Sequence, residues 1–143
     1  MKLVINRCYG GFGLSALAIK EYLKRKGKKA FFYKQTKFNF SSLNKKDEYT
    51  RIDNLDECGL FCYTFTKDLG KTLSKFPNNK YYFYFGNIER DDPDLVAVVK
   101  KLGKKADGKY AELSIVEIPD GIEWELSEYD GVESVEEKHR SWN

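Results

Sequence analysis

The stretch "KLVINRCYGGFGLSALAIKEYLKRKG" (residues 2–27) constrains the fold more than any other part of the chain. "KLVIN" is apolar enough for a buried strand, and "LSALAIKEYLKRKG" places Ala16, Ile19 and Leu23, with Leu17 and Tyr22 beside them, on one helical stripe. Gly10, Gly11 and Gly13 lie between the two, where the chain must turn sharply. Ser15 or Gly13 caps the helix, Lys24, Arg25 and Lys26 favour the negative end of its dipole, and Gly27 takes the C′ position. "KAFFYKQ" (29–35) reads as the next strand. A strand-helix-strand unit with a short crossover predicts two parallel strands in one sheet.

Further along, residues 36–55 turn polar and predict a long loop or short hairpin. "GLFCYTF" (59–65) and "KYYFYFGN" (80–87) are aromatic-rich strand candidates, and "TKDLGKTLSKFPNN" between them allows one or two helical turns. In "RDDPDLVAVVKKLGKKADG", Asp92 caps a second helix, Pro93 takes N1, Asp94 lies in the first turn, and Leu95, Val98, Val99 and Leu102 form the stripe. Gly103 weakens that helix near its end and Gly108 closes it. "AELSIVEIP" (111–119) and "IEWELSEY" (122–129) predict strands, the second by strict alternation, with a turn at Asp130-Gly131. In "VESVEEKHRSW" a helical tail would put Val135, Lys138 or His139, and Trp142 on one face. The expected class is α/β, with α+β as the alternative: a single domain (1–143), a mixed sheet, two main helices and a helical or irregular C-terminal tail.

A chain of 143 residues suits one domain and buries a core without disulfides or metals. Its ten Tyr and ten Phe are more rings than a small domain hides, so some are expected at an interface or pocket. The formal charge of +3 comes from Lys and Arg interspersed with nearly as many acids, which does not point to DNA. Three cysteines with no apolar leader after Met1 suggest neither secretion nor a disulfide framework, and a reducing cytoplasm fits best. The longest apolar runs are strand length, so no membrane span is expected.

"GGFGLS" matches a dinucleotide fingerprint only loosely, and no P-loop pattern is present. A strand that ends in glycines and opens a helix nevertheless exposes backbone N–H groups near a positive dipole end, which accepts anions. The alternative is a structural turn, with Phe12 either plugging the core or lying over a purine. Cys58 and Cys62 have a spacing that permits zinc, but only Cys8 and His139 remain to complete a set, so core thiols are favoured and no metal is expected. A Cys8–His139 dyad lacks an orienting third residue. Asp91, Asp92 and Asp94 are explained by capping rather than acid-base work. "NIERDDP", with Asn87, Glu89 and Arg90, and "EKHRSWN", with His139, Arg140 and Trp142, join Arg to aromatic rings as phosphate and purine recognition requires, although each also reads as a solvated corner.

Taken together, "VINRCYGGFGLS", "IERDDPDLV" and "EIPDGIEWELSEYDGVESVEEKHRSW" resemble the phage- and prophage-encoded Thoeris anti-defence sponges of the first described type. The likeness spans roughly residues 1 to 27 and 80 to 142; residues 36–79 add little. The resemblance implies a non-enzymatic protein without cofactor that binds cyclic ADP-ribose isomers made by bacterial TIR proteins and withholds them from their effector. Some members hold cyclic oligonucleotides in a separate site, and members form homodimers, in some cases hexamers, with pockets at the subunit boundary. On the motif blocks and their chemistry the expected ligand-binding residues are Asn6, Arg7, Gly10, Gly11, Phe12, Ser15, Asn87, Arg90, His139, Arg140 and Trp142. Arg90 and Arg140 are expected on phosphates and Phe12 or Trp142 on the base. A phosphodiesterase using His139, or a phage protein that binds a host protein, are the alternatives.

Overall fold

The computed structural model describes residues 1–37, 48–58, 62–77 and 80–138. The class is α+β: two α-helices and antiparallel strands, divided between two compact units, Met1–Tyr22 with Phe85–Asn143, and Leu23–Tyr84.

In the first unit β1 (Lys2–Asn6) runs antiparallel to β7 (Leu113–Glu117), pairing Lys2 with Glu117 and Asn6 with Leu113. Leu3, Val4 and Ile5 are buried in succession, as in a strand covered on both faces. Helix α2 (Pro93–Leu102) lies against both strands and buries Leu95, Val98 and Val99. Asp92 caps it through Asp94 N at 2.9 Å, and Pro93 occupies the first turn. The helix stops at Gly103, whose φ of 58° serves as the C-cap, so Gly103 ends the helix and Gly108 has no such role. Helix α1 (Ala16–Arg25) buries Ala18, Ile19, Tyr22 and Leu23, and is counted with the second unit from Leu23 on. Strands β8 (Trp124–Tyr129) and β9 (Val132–Glu137) form a hairpin whose two-residue turn, Asp130 at φ 49° and Gly131 at φ 89°, has the two positive φ values of a type I′ turn. The helical tail is therefore corrected for residues 132–137: Glu133 is buried on the strand and reverses the hydropathy pattern. Residues 139–143 lie outside the described residues.

The second unit is a five-stranded antiparallel sheet in the order β5-β3-β2-β4-β6: Thr72–Leu73, Glu48–Ile52, Phe31–Lys37, Cys62–Phe65 and Tyr82–Phe83. The expected parallel β1–β2 pair is corrected, because β2 pairs with β3 and β4 and every pairing is antiparallel. Pairing with β3 on one side and β4 on the other satisfies the backbone groups on both edges of β2. The helical turns expected in 66–79 are replaced by the short strand β5, and "KYYFYFGN" gives only the two residues of β6 followed by a 3-10 turn, Phe85–Asn87. This unit holds fourteen of the chain's twenty-two aromatic residues. Tyr33, Tyr49 and Phe65 form its core with Tyr63 and Phe76, ring centroids lying 5.1 Å apart for Tyr63–Phe76 and 5.5 Å for Tyr33–Phe65. The Tyr33 hydroxyl donates to Gly70 O at 2.7 Å and accepts from Leu69 N at 2.9 Å, and its burial raises its pKa. Asp68 accepts from Gly70 N and from Arg51, which hold its carboxyl below the usual range. Cys58 and Cys62 are disulfide-bonded, which corrects the reading of both as free core thiols; Cys8 is free. Among the described residues no helix is long and apolar enough to cross a membrane.

Candidate functional site

The first strand ends on a fully buried asparagine, and that residue organises the loop beyond it. Asn6 Nδ2 donates to Cys8 O and Gly131 O, both at 2.7 Å, while its Oδ1 accepts from Glu112 N at 2.8 Å and Cys8 N at 3.3 Å. Both donors and both acceptor positions of the amide are therefore used within the unit. Asn6 thereby ties the start of the loop to the entry of β7 and to the tip of the β8–β9 hairpin.

Beside it lies an ion pair that sequence reasoning missed. Arg90 Nη2 donates to Glu133 Oε2 at 2.8 Å and Nη1 donates to Oε1, which also accepts from Asn6 N at 2.8 Å. The two side chains are 17% and 7% exposed, so the pair is largely out of water. The Arg90 guanidinium lies 3.6 Å from the centroid of the Phe12 ring, which also meets Phe85 at 5.9 Å. Both terminal nitrogens of Arg90 thus face a carboxylate of the same chain, and the half-buried Phe12 ring lies against its guanidinium. This places Asn6, Phe12 and Arg90 together, the asparagine buried and the other two half-buried.

The glycines of the loop have packing reasons. A Cβ on Gly10 would come within 1.9 Å of Tyr110 O, and one on Gly131 within 2.5 Å of Gly11 N, so two backbones approach as only glycine permits. Ser15 Oγ accepts from Ala18 N at 3.1 Å as the cap of α1 and donates to Lys105 O at 2.6 Å. Its own N–H donates to Ala106 O at 2.9 Å. That helix end is thereby met by the chain's own backbone.

What faces solvent is the outer side of the same loop. An open cleft of about 570 Å³ is lined by Tyr9, Gly10, Gly11, Glu128, Asp130 and Gly131. Tyr9 is 74% exposed, Tyr129 at the hairpin end 75% and Tyr110 54%. Arg7 is exposed and forms no ion pair with any described residue. Asn87 is exposed at the end of its 3-10 turn. The structure therefore brings Gly10 and Gly11 to the cleft and sets Asn6, Phe12 and Arg90 behind the loop. His139, Arg140 and Trp142, and with His139 the dyad to Cys8, lie outside the described residues.

Tyr9, Glu128 and Asp130 were not singled out from the sequence. Their only signal was the Asp130-Gly131 turn, and nothing in it shows that the hairpin tip meets a loop 120 residues earlier. Among the described residues no three His, Cys, Asp or Glu side chains gather to hold a metal. The groups at the cleft offer the Tyr9 ring for stacking and the carboxylates of Glu128 and Asp130 for hydroxyl or amine donors. No protein-family model, no curated protein and no solved structure matches the chain.

Proposed function

We propose that the chain sequesters a cyclic ADP-ribose-type nucleotide signal without cleaving it, as the resemblance to the Thoeris anti-defence sponges implies, in the cytoplasm of a host bacterium. The observation that carries this reading is the open cleft on the glycine loop, with the exposed Tyr9 ring at its wall and the carboxylates of Glu128 and Asp130 at its rim. A ring in that position stacks on a purine, and carboxylates accept from ribose hydroxyls. Arg7, exposed at the start of the loop and in no ion pair with a described residue, forks onto the pyrophosphate. Asn6, Glu133, Arg90 and Phe12 hold the wall rigid, so little order is lost on binding. Arg140 and Trp142 keep their expected roles on the basis of the resemblance and their chemistry alone.

The resemblance further implies that the chain works as a homodimer or larger homo-oligomer. Calorimetry with a cyclic ADP-ribose isomer tests the reading. Arg7→Ala should weaken binding by about 1.5–3 kcal/mol, tenfold or more, as expected for a lost charged hydrogen bond. Tyr9→Ala should weaken it by about 1 kcal/mol or more through lost stacking. Unchanged affinity in both variants would remove the cleft from the account.

A further inference from the structure

The modest overall charge hides a segregation between the two units. Residues 23–84 carry fourteen Lys and Arg against six Asp and Glu, a net +8, whereas the other unit carries eleven against sixteen, a net −5. Among the described residues Arg51 pairs with Asp68 and Asp53, whereas Lys67 and Lys80 pair with no carboxylate. An uneven division of this kind points to an anionic partner for one unit.

The edge of the sheet shows where such a partner fits. Among the described residues strand β6 is the last in its sheet, and it pairs with β4 in the register Thr64↔Phe83, Phe65↔Tyr82. Thr66 N donates to Tyr81 O at 2.8 Å and continues that register, which sets Lys67 opposite Lys80. Like charges directly opposite each other destabilise a strand pair. Both ammonium groups nevertheless lean over the same ring, at 5.0 and 5.3 Å from the centroid of Tyr81. They stand no more than about 10 Å apart, within one Debye length at moderate salt. Tyr82 is 37% and Tyr84 48% exposed along the same edge. Two cations gathered on a half-buried ring, with further exposed rings on the neighbouring residues of the edge, are what a backbone of phosphates with unstacked bases requires.

We propose that the β4–β6 edge of the basic unit binds linear single-stranded nucleic acid, with Lys67 and Lys80 on phosphates and Tyr84 stacked on a base. This site is separate from the cleft on the glycine loop and does not depend on the nucleotide-signal reading.

Fluorescence anisotropy with labelled 15-nucleotide oligo-dT and oligo-U tests it, the two probes distinguishing DNA from RNA. The full chain should bind one or both with a dissociation constant of about 1–100 µM at 150 mM salt, tightening as salt falls. Lys67→Gln with Lys80→Gln should flatten the slope of log affinity against log salt by about 1.4, the loss of two phosphate contacts. Tyr84→Ala should weaken binding about fivefold or more at unchanged slope. These positions are exposed, and circular dichroism confirms that each variant is folded. Absence of binding at 50 mM salt, or a slope unchanged in the double lysine variant, overturns the proposal. So does sedimentation showing that the lysine substitutions instead dissociate a self-association in which the acidic unit of a second copy covers this edge.

Discussion

Replacing Arg90 by Ala should cost far more stability than an exposed salt bridge would. Glu133 is 7% exposed on its side chain, and without Arg90 its carboxylate keeps, among the described residues, the N–H of Asn6 as its donor. Breaking a buried pair from one side costs about 3–5 kcal/mol, because the remaining charge stays out of water. The lost cation–π contact with Phe12, at 3.6 Å, adds about 0.5–2 kcal/mol. With a urea m-value of about 2 kcal/mol/M, the midpoint of equilibrium unfolding should fall by about 2–3.5 M. Arg90→Met with Glu133→Leu removes both charges together and should be less destabilised than either single truncation, which a double-mutant cycle reads directly. A loss below about 1 kcal/mol for Arg90→Ala is what an exposed pair gives and would refute this account of the wall. Strict additivity in the cycle would refute it equally.

Three further outcomes follow from other parts of the structure. Gly131→Ala should destabilise the first unit by more than 1 kcal/mol in thermal or urea melts, because its Cβ would meet Gly11 N at 2.5 Å in a backbone of φ 89°. Reduction of Cys58–Cys62, or Cys58→Ser with Cys62→Ser, should lower stability by up to about 2 kcal/mol for so short a loop, and mass spectrometry of alkylated protein under native conditions should find one free thiol rather than three. The Gly70 N–H and the Arg51 guanidinium hold the Asp68 carboxyl below the usual carboxylate range, so its contribution is present above that range and is lost as the pH falls through the depressed value. Acid titration of Asp68→Asn should show a shallower loss of stability in that window than the parent.

Several elements were legible because local chemistry decides them. Asp92, Pro93 and the Leu95/Val98/Val99 stripe define α2, and Asp130-Gly131 defines the hairpin turn, from residues that carry their own geometric preference. The partner of β1 was not legible: Asn6 pairs with Leu113, and no local signal reports a pairing across that distance. Strand β9 was misread because its buried position is Glu133, an acid made tolerable by Arg90, which lies 43 residues earlier. The site was half legible for the same reason. Arg90, Phe12 and Asn6 stood out as chemically capable residues, but only their contacts show that they satisfy one another. Tyr9, Glu128 and Asp130, ordinary surface residues in the sequence, line the cleft because Gly10 and Gly131 let two backbones touch. The charge segregation was hidden in an evenly mixed sequence and emerges only when the residues are sorted by unit.

The central claim is retention of a nucleotide signal without chemistry, and one assay addresses it directly. The purified protein is incubated with a cyclic ADP-ribose isomer, filtered to remove free ligand and heat-denatured, and the supernatant is assayed for the intact molecule by chromatography and by activation of its effector. The account predicts that native protein withholds the signal and that denaturation returns it unaltered. Recovery of a linear or hydrolysed product, or passage of all the ligand through the filter before heating, would contradict it.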